Sequence, residues 1–357
     1  MSYSITRAGL SVAVLDRRAP LMGSTMASTA LLQFEIDRPL SVLSDEIGEA
    51  RARRVWQASL RGVQDLSELI LRERIRCGFA LRRSLYLAGN AYGQRALAAE
   101  VRSRARASIP GVWLNRRTLH ARFGIDRTGA IESEHAAVAN PAQLTAGILR
   151  RAIAGGAHVY APAAVVDASS TGRDVRLYLG DGHVVHARAA VFCTGYERPL
   201  ALPTTDQSLK STWAVATHPL VHLPAWLRHT VVWEASDPYL YLRSTPDGRL
   251  VAGGDDEDSA ERHTDTRALA RKSQAIVRQV AGLLPELSFT LSHVWAGIFG
   301  ETRTGLPVID EIPGLRSCYS VTGFGGNGIT YSMMAARLVT AALQGHRTPE
   351  LALFRSP

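Results

Sequence analysis

Short, almost entirely apolar runs alternate along the chain with amphipathic stretches, a pattern that predicts both strands and helices. Residues 11–15 have the composition of a strand that is buried on both faces of a parallel sheet. Residues 3–9, which precede this strand, are typical of the last turns of a helix that ends at Gly9. The pattern therefore starts inside a β-α-β unit, and we expect the first strand of that unit to lie upstream of residue 1.

Cap residues mark several helices further along the chain. Ser44 and the two acidic residues that follow it can cap a long amphipathic helix. Asn140 followed by Pro141 predicts a helix start, because asparagine caps helices and proline suits their first turn. Residues 266–284 and 331–343 predict two more helices, and the second of these follows a glycine-rich turn.

Strand-like runs bounded by turn residues fill the middle of the chain. Residues 84–87 and 158–166 are of this kind, and residues 239–243 and 250–252 flank a Thr-Pro-Asp-Gly turn that predicts a hairpin. This order predicts an α/β protein with a discontinuous, Rossmann-like dinucleotide-binding domain that is N-terminally incomplete. An interleaved second domain would be built mostly on an antiparallel sheet.

The positive charge of the chain does not indicate a nucleic-acid surface. The 357 residues include 41 Lys and Arg against 32 Asp and Glu, but only Lys210 and Lys272 are lysines. The arginines are scattered through every segment and form no basic helix or tail. No run approaches the roughly 18 apolar residues of a membrane span. We therefore expect no nucleic-acid partner and no membrane span.

Cysteine usage predicts the redox environment. Cys77, Cys193 and Cys318 lie far apart and in no metal-binding spacing. A sparse, odd set of this kind argues against a disulfide framework and favours a reducing compartment. We expect a cytoplasmic protein without a metal site.

Asp16 is the first candidate for cofactor chemistry. The acidic residue that closes the second strand of a dinucleotide fold binds the adenosine ribose, about 20 residues after a glycine fingerprint. Asp16 has that place in the unit, and counting back puts the glycines before Met1. We therefore expect the contacts that remain in this chain to reach the two ends of a dinucleotide and not its charged middle. A plain turn residue at a strand end is the alternative reading of Asp16.

Two small-residue segments can approach a ligand closely. Residues 23–30 combine glycine, alanine, serine and threonine, whose hydroxyls and amides can bind phosphate oxygens, although a plain surface loop has the same composition. Residues 323–330 form a glycine-rich turn that opens the last helix. Such a turn presents free backbone N–H groups and the positive end of the helix dipole, so it can stabilise negative charge. A turn that only permits tight packing is the alternative.

Together these segments resemble the glycine oxidase, D-amino-acid oxidase and sarcosine oxidase superfamily of FAD enzymes. The resemblance runs through nearly the whole chain and depends on the order and spacing of segments that are weak signals individually. These segments are residues 8–18, 23–32, 140–141 with the following helix and strand, 191–195, 239–254, 305–309 and 323–330.

The resemblance implies non-covalent FAD as the cofactor and assigns residues to it. The residues implied are Asp16 and Arg17 at the adenosine, Ser24, Thr25, Thr29 and Ala30 near the pyrophosphate and flavin, Val165 at the adenine, Thr194 and Gly195 against the dinucleotide, and Gly325, Gly326, Asn327, Gly328, Ile329 and Thr330 over the pyrimidine edge of the flavin. It also implies an FAD-binding domain of residues 1–80, 141–200 and 293–357. Residues 81–140 and 201–292 would form the substrate domain.

The chain departs from the family at the substrate site. Amino-acid oxidases of this group hold the substrate carboxylate with an arginine, but the matching stretch, residues 297–300, has Phe299 in that place. Arg243, beside Tyr241 on the hairpin, and Arg303 are the nearest candidates for this role. We take Tyr241 and Arg243 as candidate substrate residues, and a surface arginine is the alternative for Arg243.

Two further devices of the sarcosine oxidase-like members are missing. Their oxygen-activating lysine would fall at Val251, and neither Lys210 nor Lys272 lies on that strand. Their flavin-attaching cysteine would fall within residues 295–300, which contain no cysteine. The flavin should therefore be non-covalent, and either O₂ or another carrier can be the electron acceptor.

These features predict an FAD-dependent oxidoreductase that takes a hydride from the carbon next to nitrogen in a small amine or amino acid. The imine would then hydrolyse to a carbonyl compound. A flavin-free structural or regulatory subunit, or a decayed copy of such an enzyme, is the alternative. An NAD-dependent dehydrogenase is less well supported, because it does not explain the flavin-type segments in the middle and at the end of the chain.

Overall fold

The computed structural model describes residues 1–197 and 207–355. The α-helices in this part of the chain are α1 (Ser2–Arg7), α2 (Leu40–Ile47), α3 (Glu49–Arg72), α4 (Gln94–Arg106), α5 (Arg116–Phe123), α6 (Pro141–Ala154), α7 (Thr266–Leu283) and α8 (Gly328–Leu343). No helix in these two ranges is both long and apolar enough to cross a membrane. The domain boundary expected between residues 200 and 201 falls outside the described residues.

The strands complete a mixed α/β architecture. They are β1 (Ala13–Leu15), β2 (Leu31–Leu32), β3 (Ala80–Leu87), β4 (Val112–Asn115), β5 (Gly129–Val138), β6 (His158–Tyr160), β7 (Val165–Ser170), β8 (Val175–Leu179), β9 (Val184–Ala187), β10 (Ala190–Phe192), β11 (Gln207–Thr217), β12 (Thr230–Glu234), β13 (Leu240–Ser244), β14 (Leu250–Glu257), β15 (Leu291–Thr302), β16 (Val308–Glu311) and β17 (Cys318–Thr322).

The parallel strands form two separate pairs. β1 pairs in parallel with β6, with Ala13 opposite His158, and β10 pairs in parallel with β17, which also carries the antiparallel β16. Among the described residues, no strand pairs with the other edge of β1. This confirms a parallel strand within residues 11–15, but its expected burial on both faces is wrong, because Ala13 is exposed and Val14 and Leu15 are half-buried. The strands β7, β8 and β9 form a small antiparallel sheet of their own.

A nine-stranded sheet carries the antiparallel strands. Its order is β15-β11-β14-β13-β12-β3-β5-β2, with β4 paired to β5. β12 and β3 pair in parallel, while the other described pairings in this sheet are antiparallel. β13 and β14 form the expected hairpin, closed by a hydrogen bond from the Thr245 N–H to the Arg249 carbonyl at 2.9 Å. The expected sheet containing residues 84–87 and this hairpin is therefore confirmed.

Helix α3 packs against α8 and positions the last helix of the chain. Trp56 lies fully buried on α3, in edge contact with Phe34, and the same apolar cluster includes Met334 and Leu338 of α8. Burial of such large side chains stabilises the contact by about 1.5–3 kcal/mol each. The long apolar face of α3 therefore holds α8, and with it the glycine-rich turn before α8, in place.

Two local expectations were wrong. Ser44 does not cap the long helix: it lies inside α2 and donates its hydroxyl to the Leu40 carbonyl at 2.7 Å. α2 ends because Gly48 adopts a positive φ of 87°, and α3 then begins at Glu49. The strand expected over residues 158–166 is two strands, β6 and β7, with Pro162 between them, a residue that cannot donate to a ladder.

The asparagine cap at the start of α6 is confirmed. The Asn140 side chain accepts a hydrogen bond from the Gln143 N–H at 3.0 Å, and Pro141 occupies the first turn. The final helix also forms as expected, although it begins at Gly328 within the glycine-rich segment.

Candidate functional site

A cavity of about 1860 Å³ connects the parallel strand pairs with the nine-stranded sheet. β1 and β10 border it at one end, and residues of β3, β11, β12, β13, β14 and β15 border it at the other. Pockets for drug-sized ligands have volumes of roughly 300–1,000 Å³. This cavity therefore has room for a dinucleotide together with a small substrate.

Nearly all of the cofactor residues expected from the sequence lie around this cavity. Those that line it are Asp16, Arg17, Ser24, Thr25, Thr29, Ala30, Val165, Thr194, Gly195, Gly325, Gly326, Asn327, Gly328 and Ile329. Thr330 lies behind the lining, where it is buried and donates to the Gln33 carbonyl at 2.9 Å. Contact of these residues with FAD stays a prediction, but the fold brings them to one place.

The expected adenosine end is built on the end of β1. Asp16 follows this strand, and its Oδ1 accepts the Arg18 N–H at 3.0 Å, which fixes the turn after the strand. Arg17 and Arg18 both pair with Glu197, at 2.6 and 3.1 Å. Glu197 was missed from the sequence because it lies 179 residues from Arg18. These exposed pairs contribute little stability and mainly order the rim.

The loop of residues 24–30 is held from the nine-stranded sheet. Trp295 on β15 donates its indole N–H to the Ala27 carbonyl at 2.9 Å. Arg243 on β13 donates its Nε–H to the Thr29 carbonyl. Ala30, almost fully buried, has a positive φ of 50°, and its N–H bonds the Ser28 hydroxyl at 3.2 Å. Side chains of one sheet thus fix a loop that borders the cavity.

The start of α8 opens on the cavity without a side-chain cap. Gly328 and Ile329, in its first turn, line the cavity, so their N–H groups and the positive end of the helix dipole lie at its wall. Asn327 donates to the Glu35 carbonyl, and the Gly326 N–H bonds Asp37 Oδ2 at 3.3 Å. These bonds dock the segment after β2 onto the helix start. The arrangement suits a group that carries or develops negative charge.

Aromatic side chains form the wall under the nine-stranded sheet. Tyr86 and Trp233 stack with ring centroids 3.6 Å apart and planes at 10°. Tyr239 and Tyr241 lie 5.4 Å apart, and all four residues line the cavity. Burial raises the pKa values of Tyr239 and Tyr241, so both phenols stay protonated at neutral pH. Tyr241, proposed from the sequence, is therefore in the cavity as a neutral hydrogen-bonding group.

The arginines expected near a substrate carboxylate lie elsewhere. Arg243 is buried but is not among the residues that line the cavity, since its guanidinium bonds the carbonyls of Thr29 and Ser244. Burial lowers its pKa to about 10, which still leaves it charged at neutral pH. Arg303 is exposed and also outside the lining, whereas Phe299 is part of it.

The sequence did not predict a group of charged side chains that lines the same cavity. Lys210 of β11 pairs with Glu301 at 2.9 Å and with Asp258 at 3.5 Å. Asp37 and Asp256 line the cavity with them, and burial, together with the charge of Glu301, raises the pKa of each to about 6. The run of acidic residues at the end of β14 was the available signal. Lys210 reaches the cavity from a different strand than the family's lysine.

The residues present fit FAD. The cavity has the necessary volume, an acidic residue at a strand end, and an uncapped helix start at its far side. Gln33 is 5% exposed, lines the cavity, and its Oε1 has no hydrogen-bond partner among the described residues. A buried acceptor of this kind needs an N–H donor, which a flavin ring carries.

Comparisons with known proteins agree with this geometry. Probable oxidoreductase OrdL of Rhizobium meliloti (strain 1021) is 27% identical over 244 residues, which is 66% of this chain and 52% of that protein. The chain thus spans about half the length of this curated relative.

Solved structures share the fold. L-proline dehydrogenase from P. horikoshii superposes with a TM-score of 0.81 at 14% identity, covering 99% of this chain and 92% of that one. Glycine oxidase from Geobacillus kaustophilus gives 0.79 at 20% identity, covering 100% and 94%. At these identities the likeness shows the fold alone. The family described as DAO, FAD dependent oxidoreductase, matches residues 2–342, and the chain therefore belongs to the DAO family of FAD-dependent oxidoreductases.

Proposed function

We propose that this protein oxidises a C–N bond of a small amine or amino acid with non-covalently bound FAD. The observation that carries the proposal is the continuity of one cavity, from the acidic strand end at Asp16, past the uncapped start of α8, to an aromatic chamber under the nine-stranded sheet. A dinucleotide cofactor and a small substrate would share this space.

The residues that would hold FAD are those that the fold gathers along the cavity. Asp16 and Val165 would bind the adenosine end, the loop of residues 24–30 would lie near the pyrophosphate and flavin, and Gly325 and Ile329 would lie at the flavin end. When bound, FAD would accept the hydride from the carbon next to the substrate nitrogen. The N–H groups at the start of α8 would stabilise negative charge that develops at that wall.

The aromatic wall would exclude water and shape the substrate chamber. Tyr86 and Trp233 form a rigid stacked pair, and Tyr241 projects a neutral phenol toward the same space. Because burial keeps the pKa of Tyr241 above its usual value, this group would donate a hydrogen bond rather than act as a base. The substrate would therefore arrive already as the neutral amine, or lose its proton to another group.

Non-covalent attachment is supported by the positions of the cysteines. Cys77 and Cys318 are buried and lie outside the cavity lining, and Cys193 lines it beside β10, away from the aromatic chamber. The expected domain division, with residues 81–140 and 201–292 around the substrate, stays a prediction, as does the cytoplasmic location.

The overall reaction balances with water as co-reactant. The substrate would lose two electrons and two protons as it becomes an imine, bound FAD would supply the two-electron oxidant, and water would hydrolyse the imine to a carbonyl compound and an amine or ammonia. An electron acceptor, either O₂ or another carrier, would then return FAD to its oxidised form.

The experiment that tests the proposal is anaerobic reduction of the flavin-loaded protein by a panel of small amines and amino acids. We expect at least one of them to bleach the visible absorbance of the oxidised flavin, with one carbonyl product formed per flavin reduced. Acid precipitation of the protein should release the flavin into the supernatant. Flavin that stays oxidised with every amine and amino acid would overturn the oxidoreductase proposal, and flavin that stays with the precipitate would overturn non-covalent attachment.

A further inference from the structure

The substrate chamber is the part of the cavity that Tyr86, Trp233, Tyr239 and Tyr241 enclose. Acidic side chains outnumber basic ones in it. Asp37, Asp256, Asp258 and Glu301 line the cavity there, and Lys210 is the cation placed among them. Lys210 already pairs with Glu301 and Asp258. Asp37 has one partner, the Gly326 N–H, and Asp256 has no cationic partner among the described residues. The chamber therefore carries uncompensated negative charge.

Asp256 lies at an irregularity of β14 and lines the cavity. The pairing of β14 with β11 shifts register between Gly254 and Glu257, and Asp255 has a positive φ of 56°. Asp255 and Glu257, on either side of Asp256, pair with Lys272 at 3.0 and 2.9 Å, and neither lines the cavity. Asp256 consequently faces the chamber alone. Lys272 neutralises the carboxylates of Asp255 and Glu257, whereas Asp256 has no cationic partner among the described residues and can bind a cation from a ligand.

Unpaired hydrogen-bond acceptors point to a ligand with N–H groups. Among the described residues that line the cavity, three buried side-chain atoms have no hydrogen-bond partner: Gln33 Oε1, Gln207 Oε1 and Asp256 Oδ1. All three are oxygens. An oxidised flavin ring carries one N–H, so the ring can satisfy at most one of these acceptors. A ligand that carries an ammonium group offers several donors and can supply the partner that Asp256 Oδ1 lacks.

The aromatic wall favours the same kind of ligand. The faces of tyrosine and tryptophan rings attract cations within about 6 Å. Tyr86, Trp233, Tyr239 and Tyr241 enclose the chamber in which Asp256 lies. An ammonium group on Asp256 would therefore meet ring faces as well as a carboxylate.

A substrate carboxylate is disfavoured by the same arrangement. The arginines that line the cavity, within the described residues, are Arg17, Arg18 and Arg188, and the first two lie at the expected adenosine end. Arg243 is engaged with backbone carbonyls outside the lining. An anion brought beside Asp37 and Asp256 would be repelled, because Lys210 offsets only part of the negative charge of the four acidic side chains there.

We infer that this chamber selects a diamine or polyamine, a substrate that carries a second, positively charged nitrogen and no carboxylate, and that Asp256 binds that nitrogen. The inference rests on the proposed amine oxidation. Two nitrogens are needed because the nitrogen that is oxidised must be neutral for a hydride to leave the adjacent carbon. The cation that Asp256 binds is then the other nitrogen of the same molecule.

The test measures binding without chemistry. Flavin-loaded protein is reduced beforehand with dithionite, so that it cannot oxidise an amine, and is titrated by calorimetry with 1,4-diaminobutane, 1-aminobutane and 4-aminobutanoate. These probes share one chain length and differ at the far end. We expect the diamine to bind about tenfold or more tightly than the monoamine, the effect of one charge-assisted hydrogen bond. The amino acid should bind most weakly.

Asp256→Asn should reduce the preference for diamine over monoamine to within about twofold, since the anionic partner is gone. Glu257→Gln is the matched control, because it removes the adjacent carboxylate on the outer face and should keep the preference. Equal binding of diamine and monoamine, tightest binding of the amino acid, no binding of any probe, or an unchanged preference in Asp256→Asn would each overturn the inference.

Failure of the inference can be told from failure of the proposed function. If the diamine binds in this pattern but never bleaches the oxidised flavin, the selection stands and the amine oxidation fails. If an amino acid bleaches the flavin and the diamine does not bind, the oxidation stands and the selection by Asp256 fails.

Discussion

Arg243 on β13 donates a hydrogen bond from its Nε to the carbonyl oxygen of Thr29, in the loop of residues 24–30 that borders the cavity. The two residues are 214 positions apart in the sequence. Arg243 is therefore placed to act as a positioning residue that holds the loop of residues 24–30 from the nine-stranded sheet.

Replacing Arg243 should weaken cofactor binding. Arg243→Ala leaves the half-buried Thr29 carbonyl without this donor, and we expect about a tenfold loss of FAD affinity, measured by flavin fluorescence titration. Arg243→Lys keeps a cationic donor and should recover part of the affinity. Arg228→Ala, an exposed arginine outside the cavity, is the control. Unchanged FAD affinity in Arg243→Ala would exclude this positioning role.

Asp16 should contribute to adenosine binding. It stands at the end of β1 and lines the cavity, where a carboxylate can accept hydrogen bonds from a ribose. Asp16→Ala should lower the affinity for FAD about tenfold, measured as flavin retained after gel filtration. Asp181→Ala, in an exposed turn outside the cavity, should retain as much flavin as the parent. Equal retention by both variants would remove Asp16 from the site.

Gly253 makes room for Tyr241 in the aromatic wall. A Cβ at Gly253 would lie 2.3 Å from the Tyr241 hydroxyl oxygen and 2.9 Å from the Trp213 carbonyl oxygen. Gly253→Ala should therefore lower both the melting temperature and the rate of flavin reduction. Gly282→Ala, in α7, meets nothing within 4 Å and should stabilise the fold by about 0.5–1 kcal/mol, because alanine favours helix. If Gly253→Ala has the melting temperature and the flavin-reduction rate of the parent, the close packing of Tyr241 against Gly253 is contradicted.

The Asp256 carboxylate should lower the free energy of unfolding at neutral pH. Its pKa is raised from 3.8 to about 6, mainly by burial. At a pH between these two values, Asp256 is protonated in the folded state and ionised in the unfolded state. Stability consequently falls as the pH rises through this window and stays lower above it. Asp256→Asn should raise the melting temperature at pH 7 by about 2 °C or more, and the gain should vanish near pH 4.

Glu257 provides a control of opposite sign. Its pKa is lowered, first by a hydrogen bond from Lys272, so its stabilising contribution is present above the unfolded pKa and is lost as the pH falls. Glu257→Gln should therefore leave the melting temperature at pH 7 unchanged or lower. A melting temperature that falls in Asp256→Asn would contradict the uncompensated charge at that position.

The sequence was sufficient where structure depends on neighbours along the chain. The parallel strand within residues 11–15, the Asn140 cap and the hairpin at Thr245 follow from local patterns, and the structure has all three, although the strand is exposed or half-buried. The sequence pattern gave no sign of the break between α2 and α3. This break depends on the positive φ of Gly48, which the spacing of apolar residues does not reveal.

The substrate chamber could not be predicted in the same way. Lys210, Asp256 and Glu301 come from separate strands, and their proximity depends on the order β15-β11-β14 in the sheet. The bond from Arg243 to Thr29 likewise depends on how the sheet meets the loop. A family resemblance pointed to segments that the fold brings to the cavity, but it gave no sign of the acidic side chains that line the same cavity.

The measurement that tests the central claim most directly follows the hydrogen on the carbon next to nitrogen. Flavin-loaded protein is mixed anaerobically with an amine that bleaches it, deuterated at both positions of that carbon, and the carbonyl product is analysed by mass spectrometry. We expect the product to keep one of the two deuteriums and the deuterated amine to reduce the flavin more slowly than the ordinary amine. A product that retains both deuteriums, or no carbonyl product at all while the flavin is bleached, would contradict oxidation at this carbon.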